Sequence, residues 1–290
     1  VSPPPSILPS IFLSHGSPMT ALEPREAGRF MQALGPRIAA QHGRPRAVLA
    51  VSAHSLTREP ALLAAPRHEA VYDFGGFDPK LYTLRYDAPG APALAERVAA
   101  LLRDAGLPVH VLAEGGLDHG IWTPLRYLLP EADVPVLPLA WPPDWSPERL
   151  FALGRALAPL AAEGVLVVGS GSITHNLRRV FAGGLRPDAD APATPESTAF
   201  RDWWAERAAA ADWRALFDYR RQAPHAELMH PTDEHLLPFF VAAGAGGGAP
   251  GERGTAPRIH ASLTYGDLGM DAYAFGPGAA ALVEPRALQG

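Results

Sequence analysis

Short apolar runs alternate along the chain with longer stretches in which apolar residues recur every three or four positions. The runs read as buried strands and the stretches as amphipathic helices. Residues 7–13 form the first predicted strand and residues 24–41 a helix. Residues 46–52 (RAVLAVS) are almost wholly apolar, as expected of a strand covered on both faces. Residues 91–105 have helical periodicity, opened by Pro92 and closed by Gly106. Residues 109–113 and 134–139 predict short strands, 147–162 a helix, and 164–168 the start of another strand. A helix or helix pair bearing tryptophans is predicted over 196–217, a short apolar segment over 234–243, and an alternating edge strand over 258–265. This alternation predicts an α/β fold, with one domain over residues 1–290 and a central, mostly parallel sheet flanked by helices. Residues 183–195 and the glycine-rich 244–254 are expected to be surface loops. Residues 70–90 have no period but are rich in Tyr, Phe and Gly, which marks a functional loop.

Composition narrows the chemistry. The net charge is −5 and only 19% of the 290 residues are charged, with no basic run. A nucleic-acid backbone demands a basic surface, so no nucleic-acid partner is expected. No apolar run approaches the ~20 residues that span a bilayer, and residues 1–10 lack the basic start of a signal peptide. Cysteine is absent, which excludes disulfides, zinc–thiolate sites, iron–sulfur clusters and cysteine nucleophiles, and fits a cytoplasmic protein. Any transition metal must therefore be held by carboxylates and by some of the 11 histidines.

Four histidines follow predicted strands: His15 after the first, His54 after 46–52, His119 after 109–113 and His175 after 164–168. In an open parallel sheet, ligands bind at the carboxyl ends of the strands, so these four imidazoles are expected at one rim. The neighbours Gly16, Ala53 and Gly171 are small enough to let a ligand approach. A lone histidine is more often a surface or satisfied core residue, and His42, His68, His110, His225 and His260 are read that way. His225, His230 and His235 are spaced by five, which no helix face accommodates. That segment is expected to supply one ligand, with His235 in the first turn of a short helix capped by Thr232 or Asp233. No His-Glu-x-x-His, Gly-x-Ser-x-Gly or phosphate-loop motif occurs. Residues 169–174 (GSGSIT) fall short of the dinucleotide fingerprint, and a turn carrying His175 accounts for their glycines equally well.

Seven segments together resemble a known family. They are residues 12–19 (FLSHGSPM), 51–54 (VSAH), 72–77 (YDFGGF), 81–90 (LYTLRYDAPG), 117–122 (LDHGIW), 170–177 (SGSITHNL) and 231–238 (PTDEHLLP). In this order, over nearly the whole chain, they resemble the DOPA 4,5-dioxygenase (extradiol) family. That family lies within the class III extradiol ring-cleavage dioxygenases, beside the protocatechuate 4,5-dioxygenase catalytic subunit. The resemblance implies a mononuclear metal at the strand ends, with His15, His54 and His235 as ligands. His175 matches a position that is either a further ligand or an acid/base, and His119 one that lines the substrate pocket. Glu234 stands beside His235 as an alternative ligand, although on a helix its side chain would point elsewhere.

The chemistry so implied is insertion of both atoms of O2 into a catechol, with ring opening at a non-haem metal. Iron(II) with three protein ligands keeps open positions for two substrates, whereas zinc also suits imidazole donors. His175 is assigned proton transfer, and His119 binding or protonation of substrate oxygens. Tyr72, Phe74, Phe77 and Trp122 are candidates for an aromatic wall around the ring. The alternative is a zinc-dependent hydrolase using the same histidines, with His175 or Glu234 as base.

Overall fold

In the computed structural model, which describes residues 7–184, 187–247 and 256–283, eight strands form one sheet. In chain order they are β1 (Ser10–Ser14), β2 (Ala47–Ser52), β3 (Ala61–Leu63), β4 (His110–Leu112), β5 (Val136–Ala140), β6 (Val165–Gly171), β7 (Arg258–His260) and β8 (Ala272–Phe275). Their spatial order is β4-β3-β5-β2-β6-β1-β8-β7. The pairs β5–β2, β2–β6, β6–β1 and β3–β4 are parallel, while β3–β5, β1–β8 and β8–β7 are antiparallel.

The central strands are apolar on both faces because both are covered. Along β2, Leu49 and Val51 face one core together with Leu137, Val167 and Tyr273. That core is closed by α2 (Pro92–Asp104), α4 (Pro147–Leu157), α5 (Pro195–Ala209) and α6 (Pro238–Ala245). Val48 and Ala50 face the opposite core, closed by α1 (Arg25–His42) and α3 (His119–Leu128) through Phe30, Leu34, Ile121 and Leu125. This two-layer burial is what a parallel sheet requires.

The helix starts follow local chemistry. Ser146 and Thr194 accept hydrogen bonds from Arg149 and Ser197 N–H groups, each ahead of a proline in the first turn.

Several boundaries differ from the sequence reading. The first strand runs Ser10–Ser14, and residues 1–6 lie outside the described residues. The helix expected over 147–162 leaves α geometry after Leu157 and finishes as a 3-10 turn, because Pro159 has no N–H to continue the ladder. The stretch 196–217 is a helix pair, broken at Ala211 in a left-handed conformation and restarted at Trp213 by an Asp212 cap. Residues 258–264 make two short strands, of which β7 is the sheet edge. Of the glycine-rich 244–254 segment, 248–254 lie outside the described residues, and its start belongs to α6. Helix α3, strands β3 and β8, and the short helices at Leu177–Val180, Tyr219–Gln222 and Ala226–Met229 have no counterpart in the sequence reading.

Candidate metal centre

Strands β2, β6 and β1 are adjacent and parallel, so their carboxyl ends lie at one rim. His54, His175 and His15 follow those ends, and the ladder extends past them through His15 N–H to Gly171 O (3.0 Å) and Ala53 N–H to Ser170 O (3.0 Å). The other two histidines arrive differently. His119 is expected after a strand, but β4 is the far edge of the sheet, and His119 is instead the first residue of α3. His235 is expected in the first turn of a helix, but it lies in a turn ahead of α6. The expected caps are absent there: Asp233 pairs with Arg220, and Thr232 hydrogen-bonds Glu234.

The structure brings His15, His54, His119, His175 and His235 together. The rings of His15, His54 and His235 are 5.0–5.5 Å apart, His54 and His119 are 4.0 Å apart, and His175 stacks on His235 at 3.5 Å. Two groups have donor atoms within 4.8 Å of one another: His15, His54 and His119, and His175, Glu234 and His235. The trio implied by the resemblance thus spans both groups. Glu234 faces this site because its segment is a turn, which removes the helical argument that pointed it elsewhere. His42, His68, His110, His225 and His260 stay outside the cluster. His230 is buried and gives its Nε2 proton to Ile173 O at 2.7 Å, a structural role.

The outer nitrogen of each anchored ring is held by a partner. Ser170 Oγ gives its one proton to Gly120 O, so it accepts from His15 Nδ1 at 3.0 Å. His119 Nδ1 donates to Asp73 Oδ1 (3.0 Å) and His235 Nδ1 to Glu234 Oε1 (3.1 Å). Each Nε2 is left with a bare lone pair, the arrangement that partners around a metal impose on its ligands. Burial, then the neighbouring imidazoles, push His15 and His235 well below the usual histidine pKa. Burial lowers His54 to about 3 and His175 to about 4. These four rings are therefore neutral, with lone pairs to offer a metal, at pH 7.

These residues fit a metal. His15 Nε2 and His54 Nε2 are 3.2 Å apart. Two nitrogens each about 2.1 Å from one ion, at roughly 100° to each other, stand at that separation.

The whole arrangement can be compared with known proteins. The model of the family described as the catalytic LigB subunit of aromatic ring-opening dioxygenase matches residues 9–275. The chain belongs to the LigB family. As a member it is a ring-opening dioxygenase, an oxidoreductase, and its buried imidazoles can hold the metal on which LigB enzymes depend. It is 36% identical over 272 residues to a 4,5-DOPA dioxygenase extradiol of Beta vulgaris, covering 93% of this chain and 97% of the relative. It is also 36% identical over 244 residues to the protein of that name in Escherichia coli K12, covering 82% and 85%. A crystal structure of an uncharacterized protein from Escherichia coli K12 superposes with a TM-score of 0.74 at 32% identity, covering 93% of this chain and 100% of that one. Among the described residues, no helix is long and apolar enough to cross a membrane.

Around this LigB-type cluster, residues 72–77 supply the aromatic side. Phe74 meets His119 edge-on at 5.5 Å, and Phe77 and Tyr72 pack against Phe74. Trp122 has no accessible surface, so it backs Tyr72 and Phe74 from behind and gives its indole proton to Val71 O.

Sequence reasoning did not single out Asp73, Asp118 or Ser170. Asp118 is buried and accepts from Ser52 Oγ (2.7 Å) and Ser55 Oγ (2.6 Å), tying the end of β2 to the start of α3. Burial raises its pKa despite those two donors. The available signal was a carboxylate beside an aromatic or a histidine in each motif, Tyr72-Asp73-Phe74 and Leu117-Asp118-His119.

The glycines of 169–171 also have a different cause from the expected turn, since both lie within β6. A Cβ on Gly169 would strike Pro238 O, and one on Gly171 would strike His235 O. Their absence lets the 235–238 segment lie directly on the strand and deliver His235.

Proposed function

We propose that the chain is an extradiol dioxygenase that opens a catechol ring with both atoms of O2 entering the product, and that residues 1–290 act as one catalytic domain. The observation that carries this reading is the convergence of five imidazoles from five separate segments beside an aromatic wall, in a LigB-family chain. His15, His54 and His235 would hold a mononuclear iron(II), and zinc(II) could take the same donors. When bound, the metal supplies open positions that bring catechol oxygens and dioxygen together.

The chain's own groups do the rest. His175 has no side-chain hydrogen bond among the described residues, so its imidazole is free to take a proton from a catechol hydroxyl and later return it. With a pKa lowered to about 4 by burial, it is neutral and able to accept at pH 7. His119, its Nδ1 proton held by Asp73, presents Nε2 to a substrate hydroxyl and accepts a hydrogen bond from it. Phe74, Phe77 and Tyr72 stack against the ring and exclude water, with Trp122 behind them. Both oxygen atoms end in the product, so no external reductant is needed.

The test is oxygen uptake by protein reconstituted anaerobically with iron(II), given DOPA, caffeate and protocatechuate in turn, beside a zinc-loaded control. Uptake with iron only, accompanied by a yellow ring-opened product, is expected. A filled metal site with no uptake on any catechol would refute the reading and leave the zinc hydrolase, which is tested by anaerobic turnover of the zinc form.

A further inference from the structure

A cleft of about 640 Å³ is built from the same loops that carry the histidine cluster. Ser17 and Met19 follow His15, Leu177 and Phe181 follow His175, and Phe77 extends the segment that supplies Asp73. Ring contacts lead from the cleft to the cluster, Phe77 meeting Phe74 at 5.7 Å and Phe74 meeting His119 at 5.5 Å. The volume is that of a small-molecule pocket.

Its walls have a definite chemistry. Leu177 and Phe181 are 45% and 38% exposed, so two large apolar side chains face water at one cleft. Such clustering marks a surface made for an apolar occupant. The described lining holds no lysine or arginine, and its only charged residues are Glu23 and Asp78. Arg25, two residues from Glu23, is engaged by Asp190 at 2.6 Å. A carboxylate brought into this cleft would find two like charges and no counter-ion among the described residues that line it.

We propose that this cleft receives the ring substituent of the aromatic diol, and that the substituent it selects is apolar and uncharged rather than a carboxylate. The inference rests on the ring-opening reading of the neighbouring site. The substrate class is then an alkyl- or aryl-substituted catechol, its ring against Phe74 and its substituent between Phe77, Leu177 and Phe181.

The experiment compares kcat/KM of the iron(II)-loaded enzyme for catechol, 4-butylcatechol and 3-(3,4-dihydroxyphenyl)propionate. Partial burial of a four-carbon chain should favour 4-butylcatechol over the propionate by about tenfold or more, chiefly through KM. Leu177→Asp and Phe181→Ser should each lower the ratio of 4-butylcatechol to catechol by about fivefold. A second readout needs no turnover: calorimetric dissociation constants of 4-butylphenol and 3-(4-hydroxyphenyl)propionate, measured without added metal, should rank the same way. The proposal falls if the propionates are preferred in both measurements, or if neither variant moves the ratios. If no diol is opened while 4-butylphenol still binds the more tightly, the dioxygenase reading fails and the selectivity of the cleft stands.

Discussion

His119 gives Asp73 two hydrogen bonds, from its backbone N–H at 2.9 Å and from Nδ1 at 3.0 Å, both to Oδ1. The other oxygen, Oδ2, lies 3.8 Å from His54 Nδ1. One carboxylate from an irregular loop thus fixes the ring of a helix N-terminus and borders the ring of a strand end. Burial alone would raise the pKa of Asp73, but the hydrogen bonds from His119 outweigh it, and the net shift is downward. Asp73 is therefore an anion at neutral pH, the state that holds the proton of His119 on Nδ1.

Removing that anchor should weaken catalysis more than folding. Asp73→Ala is expected to lower kcat about 10- to 100-fold, as for other residues that orient imidazoles at metal sites. Asp73→Asn keeps an acceptor oxygen and should recover part of the loss. Steady-state kinetics beside far-ultraviolet circular dichroism checks this, and an unaltered kcat in Asp73→Ala would show the carboxylate to be dispensable.

The histidines should separate by role. His15→Ala or His54→Ala should abolish metal binding by elemental analysis, and retention of a full equivalent would sink the ligand assignment. His175→Ala should keep both metal and fold but lose turnover. Unchanged turnover in that variant would remove His175 from the chemistry.

Gly171→Ala tests how His235 is delivered. The new Cβ meets the His235 carbonyl oxygen, which already accepts the Ser172 N–H at 2.8 Å. The expected result is a loss of about 1–3 kcal/mol of stability together with weaker metal binding. A metal titration beside thermal unfolding reads both, and wild-type affinity in a folded variant would count against this path.

Stability should fall in acid. Burial lowers His230 to about 3, so below the ordinary value near 6.5 the unfolded chain binds a proton that the folded chain refuses. Its stabilisation is complete above that value and is lost as pH falls from about 6.5 towards 3. The buried His15 and His235 are shifted in the same direction. Without added metal, Tm should drop by about 5 °C or more between pH 7 and pH 5. His230→Gln, which keeps a donor for Ile173 O, should flatten that slope. A pH-independent Tm would contradict the burial of these rings as neutral groups.

Much of the fold could be read along the chain because the relevant forces are local. Apolar runs of strand length gave β2 and β6, and Pro92 marked where α2 begins. The lack of cysteine restricted any transition-metal site to imidazole and carboxylate, and strand-end positions singled out His15, His54 and His175. Long-range packing decided the rest. Helix α3 was hidden because Gly120 and Pro124 interrupt its pattern, and it forms where Trp122 and Leu125 are buried against the sheet. Nothing local distinguishes His235 from His230. The first reaches the cluster because its turn lies on Gly169 and Gly171, while the second is captured by Ile173 O. Asp73 and Ser170 acquire their partners in the same way, across gaps in sequence that only tertiary packing closes. A residue's own type and neighbours set its conformation and charge. Which lone pairs point at one another depends on how separate segments pack, and that is settled only when the whole sheet and its covering layers are in place.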